Sequence, residues 1–192
     1  MSGRKSVSHG SIVLLDACCL LNFYAAGCCE AIAEALGCSF VIAEAVSKEA
    51  LYILRKDTAE ESTAREAVDL SGLIGSGILS IVSLAEAERT AFLAFAGQVD
   101  DGEAATCALA IHRRLPLATD DRKARRLLQA QAGAPRLYST IEVLKIWAEY
   151  TQANAVTLAR TLITVRDRGN FLPPRGEPLR EWWEAGISAL KE

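Results

Sequence analysis

Ser11-Ile12-Val13-Leu14-Leu15-Asp16 is the stretch on which the reading of this chain turns. Its aliphatic run shows no polar alternation, as expected of a strand covered on both faces inside a parallel sheet, and a carboxylate ends it. Working outward, similar runs recur at Ser39–Ile42, Ile78–Val82, Leu117–Thr119 and, more weakly, Arg136–Tyr138. Helical spacing fills the intervals: Cys28–Leu36 stopped by Gly37, Glu44–Lys56 with apolar Val46, Ala50, Ile53 and Leu54, and Glu60–Leu73 ending in the punctuation of Gly72, Gly75 and Gly77. Ser83 with Glu86 suits a capping box for a helix over Ala85–Ala96, and Ser139 with Glu142 opens another. Helices over Gly102–Arg114 and Arg122–Gln131 lie between these two. Strands alternating with helices predict an α/β fold, a parallel sheet with helices on both faces.

The chain has 192 residues, 51% of them hydrophobic, enough for one domain with a substantial core. The polar leader 1–10 precedes a domain over 11–150, and a helical extension over 151–192 carries the Leu172-Pro173-Pro174 turn and Trp182-Trp183. Asp16 cuts the first apolar run far short of a membrane span and no signal peptide is evident, so a cytoplasmic location is expected. The six cysteines lack the spacing of a zinc ribbon and read as buried reduced thiols. A net charge of −3 is the wrong sign for a surface that clamps nucleic acid everywhere, so any such contact must be local. Arg113, Arg114, Arg122, Lys123, Arg125 and Arg126 supply one local basic patch, or simply a solvated helix face.

Histidine is scarce, with only His9 and His112, and His112 beside two arginines reads as a surface residue. That argues against a Ser-His-Asp triad and a zinc helix. No phosphate-binding P-loop or nucleophile elbow is present, and the glycines at 72, 75 and 77 precede a strand instead of following one. Acid remains. Asp16 follows the first strand, Glu44 and Glu49 the second, and Asp120 and Asp121 the fourth, while Asp100, Asp101 and Glu103 open a helix. In open parallel sheets functional groups gather outside the carboxyl ends of the strands. Singly, each acid has an ordinary use as a helix cap, a dipole partner or a solvated group. Together they would repel one another unless a hard cation sat among them.

Four segments in order resemble the PIN-domain nucleases. They are Ile12-Val13-Leu14-Leu15-Asp16-x-x-x-Leu20-Leu21-Asn22 and Val41-Ile42-x-x-x-Val46-x-x-Glu49, then Asp101-Gly102-Glu103-Ala104 and Leu117-Ala118-Thr119-Asp120-Asp121-Arg122. The resemblance spans about residues 11–150 and implies a three-layer fold with a five-stranded sheet of order 3-2-1-4-5. It places the catalytic acids at Asp16, Glu49, Glu103 and the Asp120/Asp121 pair, with Asp16, Glu103 and Asp121 as metal ligands. Asp121 fits the family's spacing better, whereas Asp120 sits directly at the strand end. Asn22 and Thr119 match polar positions near the site, and Arg122 and Arg125 are candidates for contacting the substrate. The implied activity is RNA hydrolysis with Mg²⁺ or Mn²⁺, leaving a 5′-phosphate and a 3′-hydroxyl. The long extension and the lack of a broad basic surface set the chain apart from the family's small toxins. An antitoxin protein remains a candidate partner. A homodimer to which the extension contributes is expected, with packing of the extension on its own domain as the alternative.

The main alternative function is a PIN-like protein that binds a partner without cleaving. A phosphoacceptor receiver domain shares the doubly wound sheet but needs paired acids after the first strand and an acceptor Asp after the third. Here Asp16 stands alone, and Leu84-Ala85 follows the third strand. Toprim nucleases and haloacid-dehalogenase-type phosphatases need an Asp-x-Asp, which Asp16-Ala17-Cys18 does not supply.

Overall fold

A computed structural model describes residues 11–49, 51–55 and 65–189. The chain begins β1 (Ser11–Leu15), α1 (Ala17–Ala25), α2 (Cys29–Leu36), β2 (Cys38–Ala43), α3 (Glu44–Lys48), β3 (Tyr52–Leu54) and β4 (Arg65–Ala67). It continues with α4 (Ser71–Gly75), β5 (Leu79–Val82), a 3₁₀ turn (Glu86–Glu88), α5 (Arg89–Ala96) and α6 (Asp101–Arg113). Then come β6 (Leu117–Ala118), α7 (Arg122–Gln129), β7 (Leu137–Tyr138), α8 (Thr140–Tyr150), α9 (Ala155–Arg168) and α10 (Arg180–Ser188).

The main sheet has the order β5-β2-β1-β6-β7, and every pairing in it is parallel. Counting only its own strands, this is the expected 3-2-1-4-5. Central position explains the burial. Val13, Leu14 and Leu15 of β1 and Phe40, Val41 and Ile42 of β2 are buried, whereas the edge strand β5 leaves Ser80 and Ile81 exposed. Helices α3, α5 and α7 pack on α6, while α2 and α8 pack together and α9 packs on α1. One core joins the two helical groups through the sheet.

Three sequence expectations change. The helix expected over Glu44–Lys56 stops at Lys48, and Tyr52–Leu54 instead pairs antiparallel with Arg65–Ala67 in a small second sheet. Glu49 is extended and breaks the helical register, and the aromatic and branched residues beyond it suit a strand. The helix expected over Glu60–Leu73 falls partly outside the described residues, and its described part holds β4 and the start of α4. Ser83 does not cap either: its hydroxyl donates to Glu44 (2.7 Å), and the Glu88 carboxylate receives the Ala85 N–H (2.7 Å) at the head of the 3₁₀ turn. The Ser139–Glu142 capping box forms as expected.

The extension lies on its own domain. Ala159, Leu162 and Val165 form the buried face of α9, and Gly186 lets α10 approach so closely that an added Cβ would meet Leu162 Cδ1 at 2.7 Å. Trp183 is buried and meets Phe171 edge-on, with ring centroids 5.4 Å apart. Arg168, at the end of α9, reaches the small sheet through the Leu54 carbonyl (3.3 Å) and Glu66 (2.9 Å). The apolar side chains expected to cover a second subunit are therefore largely used within one chain. Among the described residues no single helix is long and apolar enough to cross a membrane; α1 and α2 suffice only as a pair bent by 113°.

Candidate active site

The β1–β6 ladder runs one residue past the strands, the Asp16 N–H donating to the Ala118 carbonyl (3.0 Å), and so fixes Asp16 at the carboxyl edge of the sheet. Asp16 also caps α1. Its Oδ1 accepts the Ala17 N–H (2.9 Å), and its Oδ2 accepts the Thr119 hydroxyl (2.7 Å) and the Cys18 thiol (3.4 Å). The Thr119 hydroxyl oxygen accepts in turn from the Asp121 N–H (3.1 Å). This fully buried threonine thus links the loops after β1 and β6. It has no exposed surface and meets Asp16 and Asp121 from within.

Three further carboxylates converge from other elements. Glu49 ends α3 in extended backbone, and its carboxylate lies over Gly102 in the first turn of α6, where any Cβ would collide with it. Asp100 caps α6 by accepting the Glu103 N–H (2.8 Å). Glu103, one turn in, faces the same space. Burial raises the Asp16 carboxyl above its ordinary range, against the hydrogen bonds from Thr119 and Cys18. Burial, and then the charges of Asp100 and Asp16, raise Glu49. Burial, followed by Asp100, Asp121 and Asp16, pushes Glu103 up to about 7. Behind them the thiol of Cys107 is driven to about 12, first by burial and then by Asp16, Glu103, Asp121 and Asp100. Asp16, Glu49, Asp100, Glu103 and Asp121 thus share one field. Burial first, and neighbouring charge second, raises Asp16, Glu49 and Glu103, and the oxygens of the cluster are hard donors of the kind a divalent cation such as Mg²⁺ takes.

Asp120 belongs elsewhere. Its carboxylate accepts the Thr140 N–H (2.9 Å) and hydroxyl (2.6 Å) at the start of α8, with the Cys19 thiol at 3.7 Å. Burial raises it while these bonds lower it, and it contributes to the shift of none of the three acids above. Asn22, expected near the substrate, is buried, and its amide donates to the Thr140 hydroxyl (3.0 Å). It holds α1 to α8.

Arg122 and Arg125 lie at the start of α7. With Asp120 they line a cleft of about 530 Å³ whose other wall is the turn after α9, including Phe171 and Leu172. Arg125 also donates to the Thr119 carbonyl (3.0 Å). Asn170 enters the turn in the left-handed region (φ 56°), and Arg180 fastens it through the Pro173 carbonyl (2.9 Å). The basic patch is smaller than its six members suggest. Arg113 makes a two-pronged ion pair with buried Glu88 (2.6 and 2.9 Å), and His112 approaches the same carboxylate.

Asp100 was not singled out as a site residue from sequence. The Asp-Asp-Gly-Glu run offered three acids, and the N-cap position that aims Asp100 inward is the signal that separates it from Asp101. Asp101 instead lines a different hollow with Glu44 and Lys48.

A family model described as a PIN domain matches residues 12–164. No curated protein and no solved structure matches the chain. The match covers every residue of the acid cluster, and the parallel sheet agrees with it: the chain belongs to the PIN-domain family.

Proposed function

We propose that the protein is a metal-dependent endoribonuclease centred on Asp16, Glu49, Asp100, Glu103 and Asp121. PIN domains are generally nucleases and typically use divalent metals. The observation that carries the reading for this chain is the convergence of these acids, with Glu103 held near neutrality. A protein that only binds a partner has no evident use for such repulsion at one edge of its sheet.

Asp16, Glu103 and Asp121 would hold Mg²⁺ or Mn²⁺, with Glu49 and Asp100 flanking them. A bound ion would supply an activated water and offset charge on the leaving oxygen. The chain's own groups do the rest. Thr119 fixes the orientation of Asp16 and of the backbone at Asp121. Asn22 and Asp120 hold Thr140, and with it α8, against the site. Arg122 and Arg125 bind phosphates of a strand lying in the cleft, and Phe171 offers an apolar edge to an unpaired base.

The test uses labelled single-stranded RNA and DNA with Mg²⁺, with Mn²⁺ and with chelator, for the wild type and for Asp16→Asn and Glu103→Gln. RNA cleavage that needs metal and both acids is expected. Cleavage that survives chelator or both substitutions would overturn the reading.

A further inference from the structure

The first turn of α1 presents two adjacent thiols, and both border Asp120. Cys19 Sγ lies 3.7 Å from Asp120 Oδ2, and Cys18 Sγ accepts the Asp120 N–H at 3.5 Å. The two sulfurs and a carboxylate oxygen all fall within 4.8 Å of one another. A tetrahedral ion with sulfur ligands at about 2.3 Å and oxygen at about 2.1 Å sets its ligand atoms roughly 3.5–3.8 Å apart. The Cys19–Asp120 separation of 3.7 Å already has that spacing, and the remaining separations lie within 4.8 Å.

Its surroundings differ from the acid cluster. Cys19 is fully buried, Cys18 is half-buried, and Thr140 beside them is fully buried. The Thr140 hydroxyl is within hydrogen-bonding reach of both Cys19 Sγ (3.3 Å) and Asp120 Oδ2 (2.6 Å), and its N–H fixes the other Asp120 oxygen (2.9 Å). Such outer contacts orient ligands in metal sites. Two soft donors and one carboxylate select against Mg²⁺ and for borderline or soft ions. The other adjacent pair, Cys28 and Cys29, has no carboxylate in such a group among the described residues.

We propose that Cys18, Cys19 and Asp120 form a site for a thiophilic divalent cation such as Zn²⁺ or Cd²⁺, next to the acid cluster and distinct from it. Binding exchanges two S–H bonds for two metal–sulfur bonds and releases two protons to solvent, with a solvent molecule completing four-coordination. Cys18 then ceases to donate to Asp16, so occupancy is felt at the neighbouring acid.

Cadmium titration of the purified full chain tests this without any cleavage assay, so the result is independent of the nuclease reading. A sulfur-to-cadmium charge-transfer band in the ultraviolet should saturate at one ion per chain, be displaced by Zn²⁺, and resist excess Mg²⁺. Cys18→Ser, at a half-exposed position, should weaken binding by at least about tenfold, and so should Cys19→Ser and Asp120→Asn. Asp16→Asn and the double variant Cys28→Ser/Cys29→Ser should keep the band. A band that survives Cys18→Ser, or that depends on Cys28 and Cys29, would overturn the proposal, as would no band in folded wild-type protein.

Discussion

Asp120 and Asp121 are neighbours with unlike surroundings, and separate substitutions distinguish them. Asp121→Asn should reduce metal-dependent cleavage by more than about a hundredfold, the upper end of what losing a supporting group at a metal site costs. Its melting temperature should stay near that of the wild type, since an Asn can still cap α7 at the Ala124 N–H. Asp120→Asn should show the opposite pattern. It turns an amide donor towards the Thr140 donors, so denaturant unfolding should show a loss of about 1–2 kcal/mol with a smaller effect on cleavage. Glu103 gives a pH signature. Its folded carboxyl lies near 7 against an ordinary 4.5, so it favours the folded state at low pH, and that contribution is lost as pH rises through 7. The melting temperature of metal-free protein should therefore fall between about pH 5 and pH 8. Saturating Mg²⁺ and the Glu103→Gln variant should each flatten that slope; an unchanged slope in the variant would assign it to another group.

Among the elements, α6 offers a sharp test. Gly102 sits in its first turn, where alanine would ordinarily add up to about 1 kcal/mol to the helix. Here the added methyl would strike the end of the Glu49 side chain, a flexible group that can move aside. Gly102→Ala should therefore fold normally and lose cleavage, which activity measured beside thermal melting would show. Elements were legible where one local rule decides them. Burial on both faces marked β1 and β2, and the Ser139–Glu142 box marked α8. The small sheet was not legible, because residues 44–56 carry an apolar spacing that also suits a helix. What ends α3 is the extended backbone at Glu49, whose carboxylate then reaches across to α6, and that partner is remote in sequence. Asp100 was hidden for a related reason: three acids in four residues look alike until the helix start gives each a direction. Glu88 was equally silent. Its pairing with Arg113 holds its carboxyl at about 2 and joins the 3₁₀ turn to the end of α6.

For the whole molecule, the extension is part of the core. Trp183→Ala should cost roughly 3–5 kcal/mol, read from chemical denaturation, because the indole is buried against Phe171 and the α9 face. A chain ended after Gln152 would lose the cover over α1 and the Arg168 contacts to the small sheet. It should lose cooperative unfolding in calorimetry; a sharp transition near that of the full chain would show that the extension is dispensable. The apolar content of residues 153–192 was visible in sequence, but its destination was not. Amphipathic spacing tells that a face is covered without telling by what.

Asp16 serves two masters, and this constrains how such a protein could change over evolutionary time. The same carboxylate that joins the acid cluster also starts α1, so a relative without the proposed cleavage could not simply discard it. Alanine there would leave a helix start bare beside buried Thr119. Asparagine would keep the cap while lowering the charge. Relatives that retain this architecture without cleaving should therefore carry Asn or Ser at this position far more often than an aliphatic residue, and a single codon would tell the two kinds apart.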